Sequence, residues 1–215
     1  MSRNYTSLNP ENAYIWRIIH VENVPWILEN GLHCSNSSVK SATWVNIGNE
    51  DLIDRRSHRE VPLPPGGTLS DYVPFYFTPF SPMMYNIHTG RGVMQRRNEE
   101  IVIFVSTLHR VQQFGRQFVF TNQHAYPLMT EYYNDLRQLD RIDWPLLRSR
   151  NFSRNPDDPL QIERYQAEAL VYQHLPVNVL SGVVCYTDAI KSNIDNAANQ
   201  RGVTIDVKAI PGWYF

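Results

Sequence analysis

Hydrophobic residues fall along this chain in short blocks separated by polar text, and the blocks change period from one to the next. Residues 13–20 are rich in β-branched and aromatic side chains and predict a first strand. Residues 23–31 then predict a short helix, with Asn23 as N-cap, Pro25 in the first turn and Gly31 just past the end. From residue 32 to about 68 the text turns polar, which predicts a long loop. Further strands are predicted at 72–77, 100–106, 118–121, 168–174 and 183–186, the 100–106 block being almost wholly apolar. Helical spacing recurs at 81–88, 130–139, 144–150 and 188–201, and residues 204–208 and 213–215 have strand content. The sum is an α+β chain.

A length of 215 residues without repeats or low-complexity tracts predicts one domain, 1–215. Formal net charge is −1, which argues against a passive coat for polyanions. The basic residues are biased, however: of 20 Lys+Arg only Lys40, Lys191 and Lys208 are lysine, leaving 17 arginines. Arginine is the forked donor for phosphates and carboxylates, and it stacks on flat rings. Two distant cysteines, Cys34 and Cys185, no apolar leader at Met1-Ser-Arg-Asn-Tyr5 and no membrane-length apolar run predict a cytoplasmic, disulfide-free protein.

Few motifs announce chemistry. The seven histidines are scattered without ligand spacing, so no metal site is expected. Neither a phosphate-cradling glycine loop nor a Gly-x-Ser-x-Gly elbow occurs. Glu168, between Ala167 and Ala169 at the start of an apolar strand, reads either as an exposed edge charge or as a catalytic carboxylate at a cleft. Arg55, Arg56 and Arg59 read either as a solvated loop or as a flap over an anionic ligand. Tyr72, Tyr76 and Phe77 are core aromatics by default, and one facing a pocket could stack on a ring.

Taken in order, several segments resemble the DarT family, toxins of DarT–DarG toxin–antitoxin systems, in its thymidine-directed branch. They are Ile15-Trp-Arg-Ile-Ile-His20 with Gly31, the Arg55-Arg56 pair, Pro65-Gly-Gly-Thr-Leu-Ser-Asp-Tyr-Val-Pro-Phe-Tyr-Phe77 with Ser81-Pro-Met83, Phe118-Val-Phe-Thr-Asn-Gln-His124, Arg164-Tyr-Gln-Ala-Glu-Ala-Leu-Val171 and Trp213-Tyr-Phe215. The resemblance implies an ADP-ribosyltransferase-like split mixed sheet with helices around an NAD cleft. It implies an enzyme that uses NAD as co-substrate, without metal, to modify N3 of thymidine in single-stranded DNA and so block replication.

By position, Trp16, Arg17 and Ile18 would hold the nicotinamide amide chiefly through their backbone, with Gly31 and Leu32 also on the cofactor side. Residues 38–58 match the NAD-binding element, with Arg56 as its functional arginine, and Glu168 falls on the transferase glutamate. Residues 124–168 match the loop that grips the target nucleotide, with His124 and Tyr76 on the DNA side. Where many members carry His-x-Thr this chain has Arg17-Ile-Ile19, so contacts there fall to the backbone. The implied partners are single-stranded DNA and a cognate macrodomain antitoxin, with no membrane and a monomer as default. Same-fold transfer to guanine, RNA or protein, and a silent single-strand-binding module, stay open at this point.

Overall fold

The computed structural model describes residues 6–215; Met1 to Tyr5, where the lack of an apolar leader was noted, lie outside the described residues. In chain order the strands are β1 (Tyr14–His20), β2 (Leu32–His33), β3 (Tyr72–Tyr76), β4 (Ile101–Thr107), β5 (Phe118–Thr121), β6 (Tyr132–Tyr133), β7 (Glu168–Tyr172), β8 (His174–Leu175), β9 (Gly182–Cys185) and β10 (Asp206–Ala209). The helices are α1 (Val24–Asn30), α2 (Glu50–Ser57), α3 (Pro82–Thr89), α4 (Leu108–Gln113), α5 (Trp144–Ser149), α6 (Gln161–Tyr165) and α7 (Asp188–Gln200).

Eight strands form one sheet in the order β10-β9-β4-β1-β3-β7-β5-β6, and β2 pairs with β8 apart from it. All neighbours described by register are antiparallel except β9 and β10, which α7 joins by a crossover, making the sheet mixed. The apolar block at β4 is buried over six of its seven residues, because it lies between β1 and β9 at the heart of the main core.

One discontinuity positions the site. β1 pairs with β4 along all seven residues, but with β3 only at Trp16 opposite Tyr76. Continuing that register would set Ile18 against Pro74, and a proline has no N–H to give to a ladder. The Pro74 carbonyl instead accepts from Arg17 Nη1 at 2.7 Å. The sheet is therefore split between β1 and β3, and the split opens a crevice.

Four expectations are corrected. The polar stretch 32–68 is not all loop, because α2 lies within it. That helix buries no residue, so it carries no apolar stripe; its marks are Asn49 as cap, Glu50 and Asp51 in the first turn and Arg55 and Arg56 in the last. Residues 130–139 do not form a helix: Tyr132 and Tyr133 pair with Thr121 and Phe120 at the sheet edge, and Leu136–Arg141 is a 3-10 turn. The chain ends in a 3-10 turn, Pro211–Trp213, rather than a strand, with the Tyr214 hydroxyl donating to the carbonyls of Ile101 and Val184 at 3.0 and 3.1 Å. Asn23 precedes α1 but does not cap it, since its side chain holds both backbone groups of Val45, at 2.8 and 2.9 Å.

Candidate active site

Glu168 opens β7, which has β3 on one side and β5 on the other, so the expectation of an exposed edge charge is overturned. The residue is 3% exposed. A bare carboxylate at that depth would be costly, and two donors answer it, with a histidine nearby. Arg56 gives a two-pronged pair, Nη1 to Oε1 at 3.1 Å and Nη2 to Oε2 at 2.9 Å. The Ala125 N–H donates to Oε1 at 2.9 Å, and His124 Nε2 stands 3.6 Å from the same oxygen. Thr121 fixes the strand start by accepting the Glu168 N–H on Oγ1 at 3.1 Å.

Electrostatics follow from this packing. Burial pushes the Glu168 carboxyl up, but the Arg56 guanidinium, His124 and the Ala125 amide outweigh it and hold the group below the usual carboxylate range. Burial likewise pulls Arg56 down, and Glu168 restores it to above its ordinary value. Both groups are thus charged at neutral pH. Arg17 is the second guanidinium here; burial, with Arg56 adding to it, lowers it to about 10, against smaller opposing effects of Tyr76 and Glu168. It remains protonated at neutral pH. Burial first and the Glu168 charge second raise the Tyr76 phenol, whose Oη lies 3.6 Å from Met83 Sδ, so it stays neutral.

Arg17, Ile18, Arg56, Tyr76, His124 and Glu168 all line one cleft of about 230 Å³ at the split. A second cavity of about 270 Å³, walled by Trp26 and Trp44, shares Ser35, Asn46 and Ile53 with the first. Two guanidiniums against one carboxylate leave the cleft positive, and two lobes in series suit an elongated anionic ligand carrying flat rings. Among the described residues no group of three or more His, Cys, Asp or Glu is arranged to hold a metal ion, and no helix is long and apolar enough to cross a membrane.

The remaining residues named from sequence lie elsewhere. Trp16 points its ring to the opposite face, against Tyr14 and Trp213, so what it can offer a ligand in the cleft is its backbone. Gly31 sits at the end of α1 with φ 75°, where a Cβ would come within 2.5 Å of the Leu175 carbonyl oxygen. Leu32 is buried opposite Leu175 in the small sheet. Neither lines the cleft. Phe77 is a buried core aromatic, as the default reading had it, whereas Tyr72, equally buried, also lines the cleft. The Ala125 amide and the Asn23 clamp were not foreseen: a backbone N–H has no sequence signature, and Asn23 reads first as a cap.

Comparison with known proteins agrees with the fold. The family model described as ssDNA thymidine ADP-ribosyltransferase, DarT, matches residues 16–215. A DNA ADP-ribosyl transferase of Escherichia coli O127:H6 (strain E2348/69 / EPEC) is 54% identical over 217 residues, covering 100% of both chains. Thermus sp. 2.9 DarT in complex with ADP-ribosylated ssDNA superposes with a TM-score of 0.88 at 30% identity over 100% of each chain. The same Thermus protein in complex with NAD+ gives 0.83 at 30% identity, over 96% of this chain and 99% of that one. Matched along nearly its whole length, and more than half identical to a relative of its own size, this chain belongs to the DarT family and is an NAD-dependent DNA ADP-ribosyltransferase.

Proposed function

We propose that the enzyme transfers ADP-ribose from NAD to the ring N3 of thymidine in single-stranded DNA, in a preferred base context, releasing nicotinamide. The reading makes it a cytoplasmic toxin that blocks replication, held in check by a macrodomain antitoxin that removes the mark. The observation that carries it is the two-pronged pair that the half-buried Arg56 makes with the buried Glu168 beside the split of the sheet.

In this reaction the bond from nicotinamide to ribose C1′ breaks, the bond from C1′ to thymine N3 forms, and the N3 proton leaves. Glu168 is ionised and shielded from water, which suits a group that holds the ribose hydroxyls and stabilises positive charge developing on the sugar. A guanidinium paired with Glu168 stays protonated and is a weak base for the N3 proton. The role of Arg56 is to stabilise the thymine anion as it forms, with Glu168 or water taking the proton. The backbone of Trp16, Arg17 and Ile18 would meet the nicotinamide amide, and residues 38–58 the rest of NAD, with Gly31 and Leu32 leading the chain to His33 and Cys34 at the second cavity. His124, in the target loop 124–168, and Tyr76, at the end of β3, would face the acceptor base. An unpaired strand suits such a site because N3 is engaged in a duplex, and freeing it costs unpairing energy.

Mass spectrometry of oligonucleotides incubated with enzyme and NAD tests this. One ADP-ribosyl unit is expected on single strands containing thymidine, none on duplex, and none when the target is N3-methylthymidine. Modification of the N3-methyl substrate, or of strands without thymidine, would overturn the assignment.

A further inference from the structure

The turn that follows His124 and Ala125 ends in an apolar tip. Leu128 and Met129 are 83% and 87% exposed, more than any other large hydrophobic residue among those described. They form the two central positions of a tight turn in which the Thr130 N–H donates to the Pro127 carbonyl at 3.3 Å. That turn is held in place. Arg59 Nη2 donates to the same Pro127 carbonyl at 3.2 Å, and the Thr130 hydroxyl to the His124 carbonyl at 2.7 Å. The Tyr132 hydroxyl closes the base of the turn on the Ala125 carbonyl. Ala125 is the residue whose amide binds Glu168. The tip therefore begins three residues from the catalytic carboxylate's partner, at most about 11 Å of extended chain, or about three nucleotides of a stacked strand.

We propose that Leu128 and Met129 form a wedge that packs against the face of a nucleobase flanking the modified thymidine, within three nucleotides of it. The inference rests on the single-stranded DNA reading above. An unpaired strand presents base faces that apolar side chains can enter and unstack, without any hydrogen bond to read sequence. Two side chains are too small a patch for a protein partner, which covers about 800 Å² per side in a stable complex. A single base is the right size. Arg59, at the root of the turn, forms no ion pair with a carboxylate among the described residues, which leaves a positive charge unneutralised beside the tip.

Oligonucleotides with one target thymidine, and an abasic residue moved through three positions on either side, test the wedge against the Leu128→Ser/Met129→Ser double variant. In the wild-type enzyme one abasic position is expected to raise KM for the oligonucleotide about tenfold, the order of one lost base contact. The double variant raises KM on the intact oligonucleotide to a similar extent, with kcat moving less, and abasic substitution at that position then adds nothing. Leu128→Met/Met129→Leu restores the wild-type profile. Additive effects, or unchanged KM in the double variant as a protein-binding role would leave it, overturn the proposal. A wild-type enzyme that modifies no thymidine oligonucleotide would instead remove the parent reading, and the wedge with it.

Discussion

Glu168 reaches the cleft on β7, a strand with neighbours on both sides and four of its five residues buried, whereas Arg56 comes on α2, none of whose residues is buried. One partner of the ion pair is set by the sheet; the other is set by polar contacts. Besides the pair itself, the segment carrying α2 is held by Asn23 on Val45, by Asn49 Nδ2 on the Gly92 carbonyl at 2.9 Å and by the Leu69 N–H on the Arg59 carbonyl at 2.9 Å. Contacts of that kind contribute about 1 kcal/mol each, far less than a core strand. Elements with so little buried apolar surface open at the low end of a protein's local stabilities. A cleft walled by α2 can thus admit a ligand by loosening the helix while the carboxylate stays fixed.

Removing one charge or the other tests this contrast most strongly. Glu168→Ala should lower transfer to a thymidine oligonucleotide about a thousandfold and, by leaving Arg56 unpaired, speed amide exchange in α2. Wild-type transfer in that variant would refute the catalytic role. Arg56→Lys keeps the charge but not the fork; a loss of about a hundredfold is expected, with faster exchange in α2 and none in β7. Equal changes in both elements would erase the distinction between fixed and movable partners.

A milder probe leaves both charges alone. Asn23→Ala strips the backbone of Val45 of its two side-chain partners and should raise KM for NAD about tenfold, with a stability cost of about 2 kcal/mol by thermal unfolding. An unchanged KM would mean that the clamp does not govern the segment.

The smallest expected effect is an acid one. The Glu168 carboxyl is held below its ordinary 4.5, so the unfolded chain takes up that proton first. The stability it contributes is complete above about pH 4.5 and is lost as pH falls through the lower folded value. Denaturant titrations should show a shallower loss of stability below pH 4.5 in Glu168→Gln than in wild type. Parallel curves would place the acid sensitivity elsewhere.

The same contrast explains what could be read from the chain. β1, β4, β7, β9 and α7 were legible because burial writes period and composition into sequence. α2 was not, since nothing selects an apolar stripe on a helix that packs through polar contacts; only the Asn49 cap and the charges at its two ends mark it. At 130–139 the spacing of the stretch predicts a helix, while Tyr132 and Tyr133 join the sheet edge. The burial of Glu168 was hidden for a different reason: its partners lie 112 residues away at Arg56 and 43 away at Ala125. Local pattern carries no trace of such distances, and Arg56 was singled out through family resemblance alone.

Pro74 gives the split a further meaning. Its missing donor leaves an interior edge in the middle of a sheet, a place where strand pairing has begun at Trp16 and Tyr76 and then lapses. A carboxamide such as that of nicotinamide is, chemically, a single peptide group. On the proposed reading that carboxamide would meet β1 where its neighbour strand falls away, so that the site would read one end of the dinucleotide as the sheet reads a residue.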